Sequence, residues 1–248
     1  MDVISIAQFD MVYNAFSFAI AGMGAATLFL WLERSQVAPE YRTALTISGL
    51  VTAIATYHYI RIFNSWEGAY EMVNGALVAT SQAFNHAYRY VDWLLTVPLL
   101  LIELILVMKL TKKETYSKSV MFGLMAAIMI ILGYPGEMAT DMGTKLFWWT
   151  LSMIPFVYLV YQLFVGLSDS IKSQPAGVKD LIITARWIIV ATWCFYPIVY
   201  ILPLLGMDGS SAMVGVQVGY TIADLLAKAV FGIYIYFIAV RKSELVKA

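Results

Sequence analysis

Five stretches of the chain run for 18 residues or more without a charged side chain. The hydrocarbon core of a bilayer is about 30 Å thick, which a helix of about 20 apolar residues can cross. The five stretches are Met11–Leu32, Thr43–Ile60, Ser119–Gly136, Leu146–Ser168 and Trp187–Met207. Two further apolar regions, Ala87–Met108 and Met213–Val240, are long enough to span but carry internal charges. The sequence therefore predicts an all-α membrane protein with seven transmembrane helices.

The composition leaves no room for a large soluble domain. Of the 248 residues, 61% are hydrophobic and 13% are charged, and seven spans use about 150 residues. No repeat or linker interrupts the chain, so residues 1–248 are predicted to form one domain. The 16 basic residues balance the 16 acidic ones, which gives no basic excess for nucleic acid. The single cysteine, Cys194, has no partner for an internal disulfide.

The basic residues predict the orientation, because Lys and Arg concentrate in cytoplasmic loops. With the N-terminus outside, the inner loops and the C-terminal tail hold Arg34, Arg42, Lys109, Lys112, Lys113, Lys118, Lys172, Lys179, Arg241, Lys242 and Lys247. The outer loops hold little beyond Lys145. The C-terminus is therefore predicted to be cytoplasmic. In the long outer connection, the Asn74-Gly75 pair indicates a small β-hairpin.

Ionisable residues inside the third and seventh spans are costly in a bilayer, so each is a functional hypothesis. Asp92 and Glu103 are eleven residues apart, which puts them on one helix face about 16 Å apart along the axis. Asp224 and Lys228 are four apart and also share a face. With Arg89, the charges of Asp92, Asp224 and Lys228 sum to zero, as a low-dielectric centre requires.

A lysine in an apolar pocket is a good amine for a Schiff base with an aldehyde cofactor. Side chains that suit such a pocket are Trp93, Trp148, Trp149, Trp193, Tyr196, Pro197 and Tyr200. The tryptophans also fit an interfacial belt, Glu103 fits a solvated carboxylate near a helix end, and His58 fits an interfacial histidine. Gly215 and Gly219 form a GxxxG pair that predicts close packing of the seventh helix. No metal site is predicted.

Several segments resemble the microbial rhodopsins, specifically the bacterial proton pumps of the proteorhodopsin and xanthorhodopsin group. The segments are RYVDWLLTVPLL with Glu103 downstream, WCFYP, and ADLLAK ending in Lys228. YHYIRIFNSW, GYPGE and VGVQVGYTIADLLAK resemble the xanthorhodopsin-like, Gloeobacter-type branch more than proteorhodopsin itself. The resemblance covers nearly the whole chain.

The resemblance implies a light-driven outward proton pump, which is a transporter and not an enzyme. Lys228 would bind all-trans retinal as a protonated Schiff base, with Asp92 as counterion and proton acceptor and Asp224 as second counterion. Glu103 would be the proton donor. Arg89 would lie toward the outside, and Thr96 would form, with Asp92 and Glu103, the triplet that is typical of outward proton pumps. His58 would be the hydrogen-bond partner of the acceptor, and Leu100 stands at a position associated with green absorption.

The resemblance also sets expectations about partners. Xanthorhodopsin-like pumps that bind an antenna carotenoid have a glycine where this chain has Trp149, so no carotenoid antenna is expected. A homo-oligomer, pentamer or trimer, in the bacterial inner membrane is expected, with no soluble substrate other than protons. Two alternatives remain open: a sensory photoreceptor that signals through a partner membrane protein, and a seven-helix transporter without retinal.

Overall fold

A computed structural model describes residues 4–206 and 209–247, and within these ranges it contains seven long helices. In chain order they are α1 (Ile6–Glu33), α2 (Arg42–Gly68), α3 (Ala87–Met108), α4 (Lys112–Met138), α5 (Met142–Tyr161), α6 (Ala176–Tyr200) and α7 (Gly209–Leu225, continued by a π-helical turn at Leu226–Val230 and by Phe231–Lys247). The shorter elements are 3-10 turns at Arg34–Gln36, Pro39–Tyr41 and Leu202–Leu205, a π-helical turn at Gln162–Gly166 and a helix at Ser168–Lys172. The predicted seven-helix fold is confirmed.

Within the described ranges, six of the seven helices are long and apolar enough to cross a membrane. The exception is α2, whose polar side chains lower its mean hydropathy. Ser48, Thr52 and His58 are nevertheless all buried in the bundle, so these polar groups face the protein rather than lipid. A polar stripe directed inward is compatible with a spanning helix, because the lipid-facing side stays apolar.

The outer connection between α2 and α3 contains the predicted hairpin. Strand β1 (Tyr70–Val73) pairs antiparallel with β2 (Ala76–Ala79), with Tyr70 opposite Ala79. Asn74 and Gly75 have φ of 51° and 80°. Positive φ at both central residues is the requirement of the tight hairpin turn that Asn-Gly favours. The hairpin prediction is confirmed.

Side-chain caps fix where several helices begin. Ser5 and Gln8 form a reciprocal capping box at the start of α1, and Thr111 and Glu114 do the same for α4. At α5, Asp141 Oδ1 accepts a hydrogen bond from the Thr144 backbone N–H at 2.8 Å. That bond holds the pKa of the Asp141 carboxyl below its usual value, because it stabilises the ionised form.

The end of α6 differs from the sequence prediction. The charge-free stretch beginning at Trp187 extends to Met207, which lies outside the described residues, whereas α6 spans Ala176–Tyr200. The first turns of α6 carry Lys179 and Asp180, so absence of charge was a poor guide to its bounds.

The predicted close approach of α7 is confirmed at Gly219 and not at Gly215. A Cβ atom added at Gly219 overlaps the ring of Phe195 on α6, whereas one added at Gly215 meets nothing within 4 Å. Gly219→Ala is therefore expected to lower the free energy of unfolding by about 1–3 kcal/mol through overpacking. Thermal unfolding in detergent measures this, with Gly215→Ala as the matched control. Equal stability of the two variants would contradict the packing described.

Candidate functional site

The centre of the bundle holds a lysine between two carboxylates. Lys228 lies in the π-helical turn of α7, and only 1% of its side chain is exposed. Its Nζ contacts Asp92 Oδ2 on α3 and lies 3.2 Å from Asp224 Oδ1. π-helical turns inside α-helices are frequent at functional sites. Removing an ion from water costs several kcal/mol, and partners of opposite charge reduce that cost.

Asp224 is held by three further donors. The Tyr59 hydroxyl donates to Asp224 Oδ2 at 2.8 Å, and the Tyr196 hydroxyl donates to Oδ1 at 2.6 Å. Trp93 Nε1 donates to the same Oδ1 at 3.1 Å. Hydrogen bonds from neutral donors stabilise a carboxylate in its charged form. Asp224 is thereby the more fully hydrogen-bonded of the two carboxylates beside Lys228.

Asp92 has a much barer environment. Its Oδ2 contacts Lys228, and its buried Oδ1 has no hydrogen-bond partner. The Thr96 hydroxyl donates to the Asp92 backbone carbonyl at 2.8 Å and so does not satisfy the carboxylate. Of the two carboxylates, Asp92 therefore has the free oxygen that can take up a proton from the Lys228 nitrogen.

Arg89 lies one turn before Asp92 on α3 and is 4% exposed. Its Nη1 donates to Gln217 Oε1 at 2.7 Å, and its guanidinium carbon lies 5.1 Å from the centroid of the Tyr220 ring. Its Nε and Nη2 have no hydrogen-bond partner. In the described part of the chain Arg89 makes no ion pair, so it completes the charge balance of the centre without contacting either carboxylate.

His58 does not make the hydrogen bond to Asp92 that the resemblance implies. Its ring is buried on α2, and its Nδ1 has no partner, as is also true of Asp92 Oδ1. The polar contact from α2 to the centre comes instead from the neighbouring Tyr59. Consecutive residues point about 100° apart on a helix, which explains why one of this pair contacts the carboxylates directly and the other does not.

Glu103 is also buried on α3, with 0% exposure. Neither of its carboxyl oxygens has a hydrogen-bond partner. Ser48 on α2 lies near enough to interact, but its hydroxyl donates to the Ala44 carbonyl at 3.2 Å. A solvated position at a helix end, the alternative for Glu103, is therefore wrong.

A cavity of about 100 Å³ is lined by Lys228 and Asp224. Six of the seven side chains that the sequence indicates for such a pocket line it: Trp93, Trp149, Trp193, Tyr196, Pro197 and Tyr200. Leu100, named by the resemblance, also lines it, whereas Trp148 does not. Trp149 is fixed in the wall, because its Nε1 donates to the Pro197 carbonyl at 3.1 Å. The aromatic walls suit a flat apolar group attached at the lysine end.

Part of the site carries no signal in the charge pattern of the sequence. Tyr59 and Gln217 bind Asp224 and Arg89, yet neither carries a charge that draws attention inside a span. The missed cavity residues are Tyr90, Val97, Met129, Ile130, Gly133, Ser152, Met153, Phe156, Tyr220 and Ala227. Spacing offered one signal: Gln217, Asp224 and Lys228 are seven and four apart, which is one face of α7.

Seven helices around a buried lysine, two carboxylates and an aromatic cavity define the retinal-binding seven-helix membrane proteins, the microbial rhodopsins. The residues present fit retinal, because a primary amine is available for an aldehyde and the two carboxylates stabilise a cation at that nitrogen. Lys228 would hold the chromophore covalently, and the aromatic side chains would enclose it.

Comparison with known proteins agrees with this class. The profile of the family described as bacteriorhodopsin-like protein matches residues 12–242. Green-light absorbing proteorhodopsin from Gamma-proteobacterium EBAC31A08 is 32% identical over 238 residues, covering 95% of this chain and 89% of the relative. The chain belongs to the bacteriorhodopsin-like family, as a bacterial rhodopsin of the proteorhodopsin and xanthorhodopsin group.

Two solved structures have the same fold. The crystal structure of xanthorhodopsin, described as a light-driven ion pump with dual chromophore, superposes with a TM-score of 0.95 at 48% identity, over 100% of this chain and 99% of that one. Thermophilic rhodopsin gives a TM-score of 0.95 at 43% identity and covers 99% of both chains. The resemblance to the xanthorhodopsin-like group is confirmed.

Proposed function

We propose that this protein is a light-driven pump that moves protons outward across the bacterial inner membrane. The observation that carries the proposal is a pair of buried carboxyl groups on α3 with free oxygens: Asp92 Oδ1 and both carboxyl oxygens of Glu103 have no hydrogen-bond partner. They lie on one helix face about 16 Å apart along the axis, with Lys228 beside Asp92. A proton acceptor and a proton donor on opposite sides of the lysine nitrogen are what vectorial transfer requires.

Retinal, bound to Lys228 as a protonated Schiff base, would supply light absorption and the isomerisation that reorients the nitrogen. The residues of the chain account for the proton movements. Asp92 takes the proton from the Lys228 nitrogen, since Asp224 already accepts three hydrogen bonds from neutral donors. Glu103 then returns a proton from the side that the basic loops predict to be cytoplasmic. Arg89 keeps the centre neutral before transfer.

The pH of an unbuffered suspension of retinal-supplied cells under green light tests the proposal. We expect acidification that a protonophore abolishes, and none in cells expressing Lys228→Ala. A pigment that forms without any pH change would contradict pumping and favour the sensory photoreceptor. Alkalinisation enhanced by the protonophore would mean that another ion is moved.

Glu103→Gln tests the donor. The amide cannot give up a proton, so we expect reprotonation of the Lys228 nitrogen to slow by about 100-fold, the usual contribution of a positioned acid. Pigment formation and transfer to Asp92 should be unchanged. Flash photolysis measures the steps separately, and Glu244→Gln at an exposed site of α7 is the matched control. An unchanged photocycle would remove Glu103 from the pathway.

We expect no antenna carotenoid in this protein, because Trp149 fills the place where a glycine would open the cavity wall. Its indole hydrogen bond to Pro197 holds the ring there. The excitation spectrum of retinal emission, recorded after adding a hydroxylated carotenoid, measures energy transfer. We expect no carotenoid bands in the wild-type spectrum, and their presence would contradict the expectation. The homo-oligomer, pentamer or trimer, stays a prediction.

A further inference from the structure

The last turn of α3 is closed by a side chain from α7. Helix α3 ends at Met108, and Lys109 follows in the left-handed conformation with φ of 56°. The final carbonyl groups of a helix have no partner within it. Lys242 Nζ donates to the carbonyl oxygens of Val107 at 3.1 Å and Met108 at 2.8 Å. A cation at this position also interacts favourably with the helix dipole.

The third donor of the Lys242 ammonium is also used. It reaches Gln174 Oε1, in the connection between α5 and α6, at 2.8 Å, and Gln174 Nε2 itself donates to the Met108 carbonyl at 3.1 Å. The ring centroid of Tyr41 lies 5.4 Å from Lys242 Nζ. Lys242 is 8% exposed and forms no ion pair in the described ranges. An ammonium has three N–H donors, and all three bind neutral acceptors here.

This contact lies one turn beyond Glu103. Val107 is four residues after Glu103, so it covers the same face of α3, about 6 Å further along the axis. Val107 and Met108 are fully buried, as is Glu103. The neighbouring Ser243 accepts a hydrogen bond from the Ala38 backbone N–H at 2.8 Å, which ties the connection between α1 and α2 to the same end of α7.

We infer that Lys242 is a positioning residue that keeps the cytoplasmic end of the bundle closed over Glu103, and that its contacts with Val107, Met108 and Gln174 open when Glu103 takes up a proton. The inference rests on the proposed proton pump. Lys242 would therefore limit the rate at which Glu103 takes up a proton. It would not affect transfer from the lysine nitrogen to Asp92, at the centre of the bundle.

Proton uptake after a flash, followed with a pH-indicating dye in detergent or lipid, tests the inference. Lys242→Met keeps most of the side-chain volume and removes the donors, so we expect uptake to accelerate on the order of tenfold, the effect of losing a hydrogen bond to a charged group. Gln174→Leu removes the acceptor for Lys242 and the amide donor to the Met108 carbonyl without a charge change, and it should accelerate uptake by about fivefold. Lys242→Arg should restore slow uptake.

Arg241→Met is the matched control, because it removes a neighbouring positive charge that is exposed and paired with Glu244. Its uptake rate should equal that of the wild type. Unchanged uptake in both Lys242→Met and Gln174→Leu overturns the inference. Acceleration in Lys242→Met alone also overturns it, because that would be a charge effect. So does a change in the rate of transfer to Asp92 as large as the change in uptake, because that would be a general fold defect. A wild type that takes up no proton would instead contradict the proposed pump.

Discussion

Replacing Asp92 by asparagine is expected to abolish light-driven acidification while the pigment still forms. The carboxylate is the group at Lys228 with a free oxygen, so the variant has no acceptor for the proton of the lysine nitrogen. Loss of an acid–base group costs about 100-fold or more, which leaves no measurable pumping. The absorption band should move to longer wavelength, because one of the two negative charges beside the cation is gone. Absorption spectra and suspension pH measure both effects.

Asp180→Asn is the matched control for Asp92→Asn, since Asp180 is exposed on α6 and undergoes the same chemical change. It should pump at the wild-type rate. Retained pumping in Asp92→Asn would contradict its role as acceptor. Transfer that fails in Asp224→Asn but persists in Asp92→Asn would mean that the two carboxylates have been assigned the wrong way round.

Much of the fold could be predicted from one rule: a helix that crosses the bilayer core needs about 20 apolar residues. Long apolar runs predicted the helices, and the Asn74-Gly75 pair predicted the hairpin. The rule fails at helix ends that extend into water. Lys179 and Asp180 lie in the first turns of α6, where charges are tolerated, so the charge-free stretch missed the start of that helix.

The charged part of the site was predictable because charge inside a span is rare and spacing assigns it to a face. Uncharged polar partners give no such signal. His58 and Tyr59 are neighbours on α2, and only the rotation of α2 about its axis decides which one reaches Asp224. That rotation is set by packing against α1, α3 and α7. The resemblance implied a hydrogen bond from His58 to Asp92, whereas the contact that α2 makes is from Tyr59 to Asp224.

The cavity wall contributed by α4 and α5 was the least predictable part. Met129, Ile130, Met153 and Phe156 line the cavity, yet these helices are apolar on their lipid-facing sides as well. In a bilayer the hydrophobic effect does not distinguish the inside of a bundle from its outside. Periodicity therefore cannot identify the inward face of a helix without charged or strongly polar residues.

Replacing Lys228 by alanine is expected to remove the visible absorption band completely, because no other amine lies at the end of the cavity among the described lining residues. The same change leaves Asp92 and Asp224 facing each other without their shared cation. Removing one member of a buried ion pair costs about 3–5 kcal/mol. The retinal-free variant should therefore unfold at lower temperature than the retinal-free wild type.

The double variant Lys228→Ala with Asp92→Asn separates the two effects. It restores the zero charge of the centre, since Arg89 and Asp224 then balance, so most of the lost stability should return while the band stays absent. Lys145→Ala, outside the cavity, is the control for loss of a lysine. A band that survives acid denaturation of Lys228→Ala would place the chromophore on another residue. If the double variant is no more stable than Lys228→Ala, charge balance does not explain why a lysine and two carboxylates coexist in this apolar centre.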